Sequence, residues 1–410
     1  MPSSSIVSTQ NRVEAPFIIA TIGGYTFGHC SDMSMRNSMN VTFPNFMDSI
    51  NIVKVNGAVN TYSLKMIYGI TENDDPNLLE KVFSSVSTSR SIKLSYGDCS
   101  TPNYIYKDEE AIITKIQSQV DFNQSRITYN ISCVSTSLAL QAGSFDFPAR
   151  ENTKPSDVLK EILNNEAYGL KKIFSGMRNP TKVGMSGLLA SNDKPVDIVA
   201  KPSTNVFDYI GFLVNNMTSQ SDAGGPLKDS NYFWAVYDDV NNEFGGPYFK
   251  IQEVSPGAPM EMSYNTYEVD VGYPSGNYVT SFQICTDNVW SILYDSAASI
   301  DMPQTSYAID RSGEVVSVDS PSFSRSPKYL KTTEPDKSWW SKMTNFPITA
   351  RITIKGLLRP SILMSYLKVN AYFYGKKHIS SGLYIITRQE DVISSSGYRT
   401  TLSLTRIKGD

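Results

Sequence analysis

Apolar and polar residues alternate with a period of two over much of this chain, which predicts antiparallel strands bounded by glycine- and serine-rich turns. The pattern is clearest near the C-terminus. Val369 to Tyr374 is aromatic and β-branched, Leu383 to Thr387 is apolar, and Arg399 to Ile407 sets Leu402 and Leu404 on one side against Thr401, Ser403 and Thr405 on the other. Ile348 to Gly356 alternates in the same way. Toward the N-terminus, Phe17 to Phe27 reads as two strands about Gly23-Gly24. Ile50, Ile52, Val53 and Val55 precede Asn56-Gly57, a strong hairpin signal, and Val59 to Ile70 follows. Further strands are predicted at Ser91 to Tyr96, Tyr104 to Tyr106, Ile127 to Val134, Asn277 to Cys285 and Val289 to Tyr294, with Tyr267, Val269 and Val271 marking another.

Three segments change period. Asp75-Pro76 supplies a helix start, and Leu78, Leu79, Val82, Phe83 and Val86 follow at helical spacing. Val158, Leu159, Ile162 and Leu163 form a second helical stripe after Ser156, with Gly169 as its stop. Val206, Phe207, Ile210, Leu213, Val214 and Met217 form a third. Val196 to Ala200 reads as a short strand between these two, and Tyr232 to Tyr237 pairs with Tyr248 to Ile251 across an acidic, glycine-containing tip, Asp238 to Gly246.

The expected fold class is therefore mainly β (α+β). A polar, mobile N-terminus, 1–16, precedes a first β-barrel over 17–145. A small α/β insert follows over 146–255, then a second β-barrel over 256–410 that carries a long polar loop at 296–345. A composition shift at Gln141 to Pro155 marks the first boundary. The two β halves echo each other faintly: Ser63 to Met66 reads like Ser281 to Ile284, and Arg126 to Ser132 like Arg399 to Thr405. Chance likeness of alternating strands explains this equally well.

Composition narrows the class. Among 410 residues, aromatics make up 11%, with 24 Tyr, which suits strands. A net charge of −3 argues against a dedicated nucleic-acid site. Cys30, Cys99, Cys133 and Cys285 lie far apart, which is expected of reduced, mostly buried thiols in a cytosolically assembled protein. The N-terminal residues lack the apolar core of a signal peptide, and no run approaches the ~20 apolar residues of a membrane segment.

Little in the chain points to chemistry. His29 and His378 are the only histidines, and no zinc-type ligand spacing accompanies them. Asp74-Asp75 and Glu109-Glu110 are paired carboxylates, read as a helix cap and a solvated face. Gly224-Gly225-Pro226 and Gly245-Gly246-Pro247 are turns without a following helix, so they cradle no phosphate. No Gly-x-Ser-x-Gly elbow occurs. Trp339-Trp340 reads as the anchor of a long loop or a subunit contact, with a sugar platform as the alternative. No catalytic, cofactor or metal residue is assigned, and an enzyme is not expected.

The wording of the last strands carries a resemblance. Ser381, Gly382, Leu383, Tyr384 and Ile386, then Gly397, Tyr398, Thr400, Leu402, Leu404 and Arg406, are similar to the closing strands of the tail hub family of bacteriophages, which includes contractile-tail baseplate hubs and late-control-D-like proteins. Ile52 to Tyr62 (Ile-x-x-Val-Asn-Gly-x-x-Asn-x-Tyr), followed by Asp-Asp-Pro-Asn, fits a hub's first barrel, and the likeness extends over most of the chain beyond Phe17. The resemblance implies two tail-tube-like barrels flanking an α/β segment. It implies a homotrimer whose six barrels form a pseudo-sixfold ring between a hexameric tube and a trimeric spike. The implied partners are the chain itself, the tail spike protein and tail tube or tube-initiator proteins, with tape measure and baseplate wedge proteins as further candidates. The implied place is the virion's tail baseplate, assembled in the host cytoplasm. A bacterial contractile injection system would use the same architecture. A carbohydrate-binding tail adhesin is the alternative from another class, and a cell-wall hydrolase is a third.

Overall fold

Strand alternation is realised most plainly in Met47–Val55, where Ile50, Ile52 and Lys54 turn inward and Asn51, Val53 and Val55 lie half-exposed. The computed structural model describes residues 15–30, 42–44, 46–72, 75, 77–84, 91–98, 105–165, 168, 184–186, 193–219, 230–239, 248–254, 265–271, 279–286, 306–309, 315–318, 348–356 and 363–409. The first part of the chain gives β1 (Pro16–Ile22), β2 (Tyr25–Cys30), β3 (Phe43–Pro44), β4 (Met47–Val55), β5 (Thr61–Gly69), α1 (Leu78–Ser84), β6 (Ser91–Asp98), β7 (Ile105–Asp121) and β8 (Arg126–Ser135). After a 3₁₀ turn, Thr136–Gln141, come β9 (Phe145–Phe147), β10 (Arg150–Thr153), α2 (Pro155–Asn164), β11 (Gly184–Ser186), β12 (Val196–Ile198), β13 (Lys201–Thr204), α3 (Val206–Asn216), β14 (Thr218–Ser219), β15 (Ser230–Tyr237) and β16 (Tyr248–Val254). The last part holds β17 (Asn265–Val271), β18 (Val279–Thr286), β19 (Ser306–Ile309), β20 (Val315–Val318), β21 (Ile348–Lys355), β22 (Tyr366–Phe373), β23 (Lys376–Lys377), β24 (Gly382–Ser394) and β25 (Gly397–Gly409).

The mainly β, mostly antiparallel class expected from the alternation is the class observed. No closed barrel is formed by the described residues alone. Among the described residues the strands of both β parts join one sheet of 15 strands, ordered β18-β21-β25-β24-β4-β5-β8-β7-β6-β1-β2-β3, with β17, β22 and β23 attached beside β24. That path has two ends, so no ring of strands closes in the described residues. The join is β24 on β4, where Arg388 pairs with Val55 and Ser394 with Ser49. The last strand, β25, lies between β21 and β24 inside the sheet. The echoed segments also differ in pairing: β5 pairs directly with β8, whereas β21 separates β18 from β25.

The three helices form where the apolar spacing places them. Asp75 opens the first as a side-chain turn, its Oδ1 accepting from Asn77 N–H at 2.9 Å. In α2, Val158, Leu159 and Ile162 are buried. In α3, capped by Asn205, the buried face is broad. The strand β7 is far longer than the Tyr104 to Tyr106 expected; a register shift between Ile113 and Lys115 breaks its alternation, and charged residues crowd its start, which hides its length in the sequence. A turn at 363–364 precedes β22, which begins at Tyr366. β17 runs parallel to β22, an exception to the expected meander. The loop at 296–345 contains the β19–β20 hairpin. Trp339-Trp340, the glycine-proline turns, Val289 to Tyr294, Gly169 and the terminus up to residue 14 lie outside the described residues.

Apolar side chains gather in three clusters, one per part of the chain, and each borrows from its neighbours. Ile393 and Tyr398, from β24 and β25, pack into the first. Ala235, Tyr237 and Val254, from the insert's hairpin, pack into the last. Among the described residues no helix is long and apolar enough to cross a membrane.

Candidate functional site

The three parts meet at a buried polar junction, built from side chains that strand alternation turns inward. Lys54 shares the inward face of β4 with Ile50 and Ile52, and Glu109 shares that of β7 with Ala111 and Ile113. Asp238 follows the last residue of β15, and Asp391 lies on β24. Lys54 is 4% exposed, Glu109 and Asp238 each 1%, and Asp391 0%, so all four are buried.

Lys54 Nζ pairs with Glu109 Oε1. Tyr96 donates to the same oxygen at 2.9 Å. Tyr62 Oη lies 2.9 Å from Glu109 Oε2 and 2.9 Å from Asp238 Oδ2. Asn60 Nδ2 donates to Asp238 Oδ2 at 2.7 Å and to the Val236 carbonyl at 3.1 Å, while the Ser135 hydroxyl donates to Asp238 Oδ1. Backbone contacts reinforce the join: Glu110 N–H donates to the Asp238 carbonyl at 3.3 Å, and Glu109 bridges Asp239. On the far side, Asp391 accepts from Gln389 at 2.5 Å and from Thr400 at 2.6 Å.

The electrostatics follow from that burial. Burial opposes the charge on Lys54, yet the Glu109 carboxylate beside it, with Asp238 and Asp391 beyond, holds its ammonium above the ordinary lysine value. Burial raises Asp238 to about 6, against the pull of its Ser135 and Asn60 hydrogen bonds, and the Glu109 charge adds to the rise. Burial also lifts the Tyr62, Tyr96 and Tyr398 hydroxyls well above the usual phenol range, so they remain protonated donors.

Above the junction the Asn56-Gly57 turn ties the same three parts through the backbone. Asn56 N–H donates to the Thr387 carbonyl at 2.9 Å, Gly57 N–H donates to the Trp234 carbonyl at 2.8 Å, and Asn56 Oδ1 accepts from Trp234 N–H at 3.1 Å. Gly57 has φ +69°, and a Cβ there would stand 3.3 Å from the Trp234 indole, so both conformation and space select glycine. Trp234 is buried against Phe207 and Phe249. The turn expected to be a simple hairpin is thus also a docking point for the insert.

The sequence reading placed Glu109-Glu110 on a solvated face. Glu109 is instead buried, because alternation sends adjacent residues to opposite faces and turns this one toward Lys54 and Tyr62. Among the thiols, Cys133 is buried and its pKa is pushed up to about 12 by burial, whereas Cys285 is exposed on β18, at the end of the sheet path. Cys99 lies outside the described residues. His29 is paired opposite Ile18 in the β1–β2 hairpin. His378 accepts from Ser380 N–H at 3.2 Å and packs its ring edge-on to Phe373, holding the turn that follows β23. Among the described residues, no group of three or more His, Cys, Asp or Glu side chains forms a metal-holding arrangement.

No family model matches the chain, and no curated protein matches it. Solved structures share its fold. A tail protein from Neisseria meningitidis MC58 aligns over 96% of this chain and 97% of its own, with a TM-score of 0.51 and 11% identity. The 43 kDa tail protein of prophage MuSo2 from Shewanella oneidensis aligns over 96% and 98%, with a TM-score of 0.50 and 11% identity. The chain therefore has the fold of these tail proteins over nearly its whole length.

Proposed function

We propose that this chain is a structural, non-enzymatic hub of a phage tail baseplate. Three copies form a ring that joins a hexameric tail tube to a trimeric central spike. The observation that carries this reading is the end-to-end fold match to tail proteins, which takes in both β parts and the insert together. A sheet that runs unbroken from β18 to β3 supports it as well, because an adaptor must keep its two β parts in fixed register. The wording of the last strands, Ser381 to Arg406, agrees with it.

In this reading the protein acts by shape and symmetry. Its partners are other copies of itself, the spike and the tube or tube-initiator proteins, with tape measure and wedge proteins as further candidates. Closed cyclic assembly is the common route for identical chains. Negative-stain images and native mass spectrometry of the purified protein, alone and with its tube and spike, test the proposal. A three- or six-lobed ring of three chains is expected, with peptidoglycan digestion at background. A monomer in the finished particle, a hexamer with one chain per sixfold position, or turnover abolished by mutating one carboxylate pair would refute it.

A further inference from the structure

The proton count at the junction does not balance when every acid there is ionised. Tyr62 Oη stands 2.9 Å from oxygens of two different carboxyl groups, Glu109 Oε2 and Asp238 Oδ2. A phenol carries one proton and donates to one acceptor. The other contact is a hydrogen bond only if that carboxyl brings a proton of its own and donates it to Tyr62. Lys54 neutralises one of the three buried acids, Glu109, Asp238 and Asp391. Among the described residues that hydrogen bonds bring to the junction, Asn60 precedes β5 and Tyr62 lies on it, Tyr96 comes from β6, Ser135 from the end of β8, Gln389 and Asp391 from β24, and Thr400 from β25, with Tyr398 buried beside them; all are uncharged types apart from Asp391. Asp239, bridged to Glu109, adds negative charge, and Asp108 points to the other face of β7, where Lys93 pairs with it at 3.4 Å.

We propose that the junction is a proton-binding site: one proton, shared by Glu109 and Asp238 through the Tyr62 hydroxyl, clamps the insert onto the first β part, and its release weakens that clamp. Glu109 belongs to the sheet and Asp238 to the insert's hairpin, so the shared proton sits between the two bodies it joins. With it, the order is carboxyl O–H to Tyr62 Oη, and Tyr62 O–H to the remaining carboxylate. Without it, two carboxylate oxygens face one hydroxyl proton in a site closed to water. The raised pKa of Asp238 agrees with this count. The inference goes beyond the structural role proposed above and holds whatever particle the protein serves.

The sign of the effect is set by linkage. The folded chain holds a proton that the unfolded chain, with an ordinary aspartate, gives up at lower pH. Stability therefore falls as pH rises from about 4 to about 6 and stays lower above that range. Urea unfolding of the full chain from mildly acidic to neutral pH is the test, run on wild type, Glu109→Gln and Asp238→Asn. In wild type the folding equilibrium constant should drop by about a hundredfold across that range relative to the variants. Asp238→Asn removes the acid whose pKa is raised and should lose this slope, whereas Glu109→Gln removes only the charge that adds to the rise and should reduce it. An infrared band of a neutral carboxyl, present in wild type at mildly acidic pH and removed by either substitution, reads the proton without reference to stability and carries the test if one variant does not fold. A wild-type slope retained in both variants, or no neutral-carboxyl band that they remove, overturns the proposal.

Discussion

Lys54 is the one residue at the junction whose removal has a fixed electrostatic direction. Its ammonium offsets Glu109 directly and Asp238 and Asp391 at longer range. Lys54→Met keeps most of the stem's packing but leaves the acids without their cation. Breaking a buried pair from one side costs about 3–5 kcal/mol, so the variant's urea midpoint should fall sharply at neutral pH with an unchanged slope against denaturant. Wild-type stability in this variant would mean that Lys54 does not hold the acids. The chain offered a signal for this site that the reading of Glu109-Glu110 did not use: a charged residue in phase with inward apolar ones. Lys54 repeats the parity of Ile50 and Ile52, and Glu109 that of Ala111 and Ile113. Asp238 gave no such signal, since it follows its strand, and only the fold brings it to Asn60 and Tyr62.

At the scale of elements, the hairpins and all three helices were legible, because each is specified within a short window by apolar period and by Gly, Asn, Asp or Pro at its ends. The role of β25 was not. Its alternation marks it as a strand, and it is bonded on both sides, to β21 and to β24, but nothing local in the chain names those two neighbours. Its inward residues include Tyr398, Leu402, Leu404 and Ile407, each buried. Burying each large apolar side chain contributes about 1.5–3 kcal/mol, and a domain's net stability is about 5–15 kcal/mol. Deleting Tyr398 to Asp410 therefore removes enough burial, and leaves enough unpaired backbone on two neighbours, that soluble expression should be lost. Leu402→Ala is the graded version, expected to cost about 2–5 kcal/mol in thermal or urea unfolding. A truncated chain that melts like the full one would show that β25 is dispensable to the sheet.

For the molecule as a whole, the join between the two β parts could not be read from the sequence, because the register of strands far apart in the chain leaves no local mark. The parallel pairing of β17 with β22 was hidden for the same reason. The pairing of β24 with β4 also carries a consequence in time. A ribosome delivers Met47–Val55 long before Gly382–Ser394, so β4 keeps one open edge until that later strand emerges. Contacts between such distant segments are slow to form, and an open strand edge invites pairing with other nascent chains. In refolding followed by pulsed hydrogen exchange, the amides that β4 and β24 exchange with each other should gain protection together and late, after β5 has paired with β8. Early protection on the β24 side of β4 would contradict this. Nascent chains arrested before residue 388 should be prone to aggregate, and emergence of the segment that carries β24 should relieve it. Strands made late thus determine when strands made long before them can be safely buried.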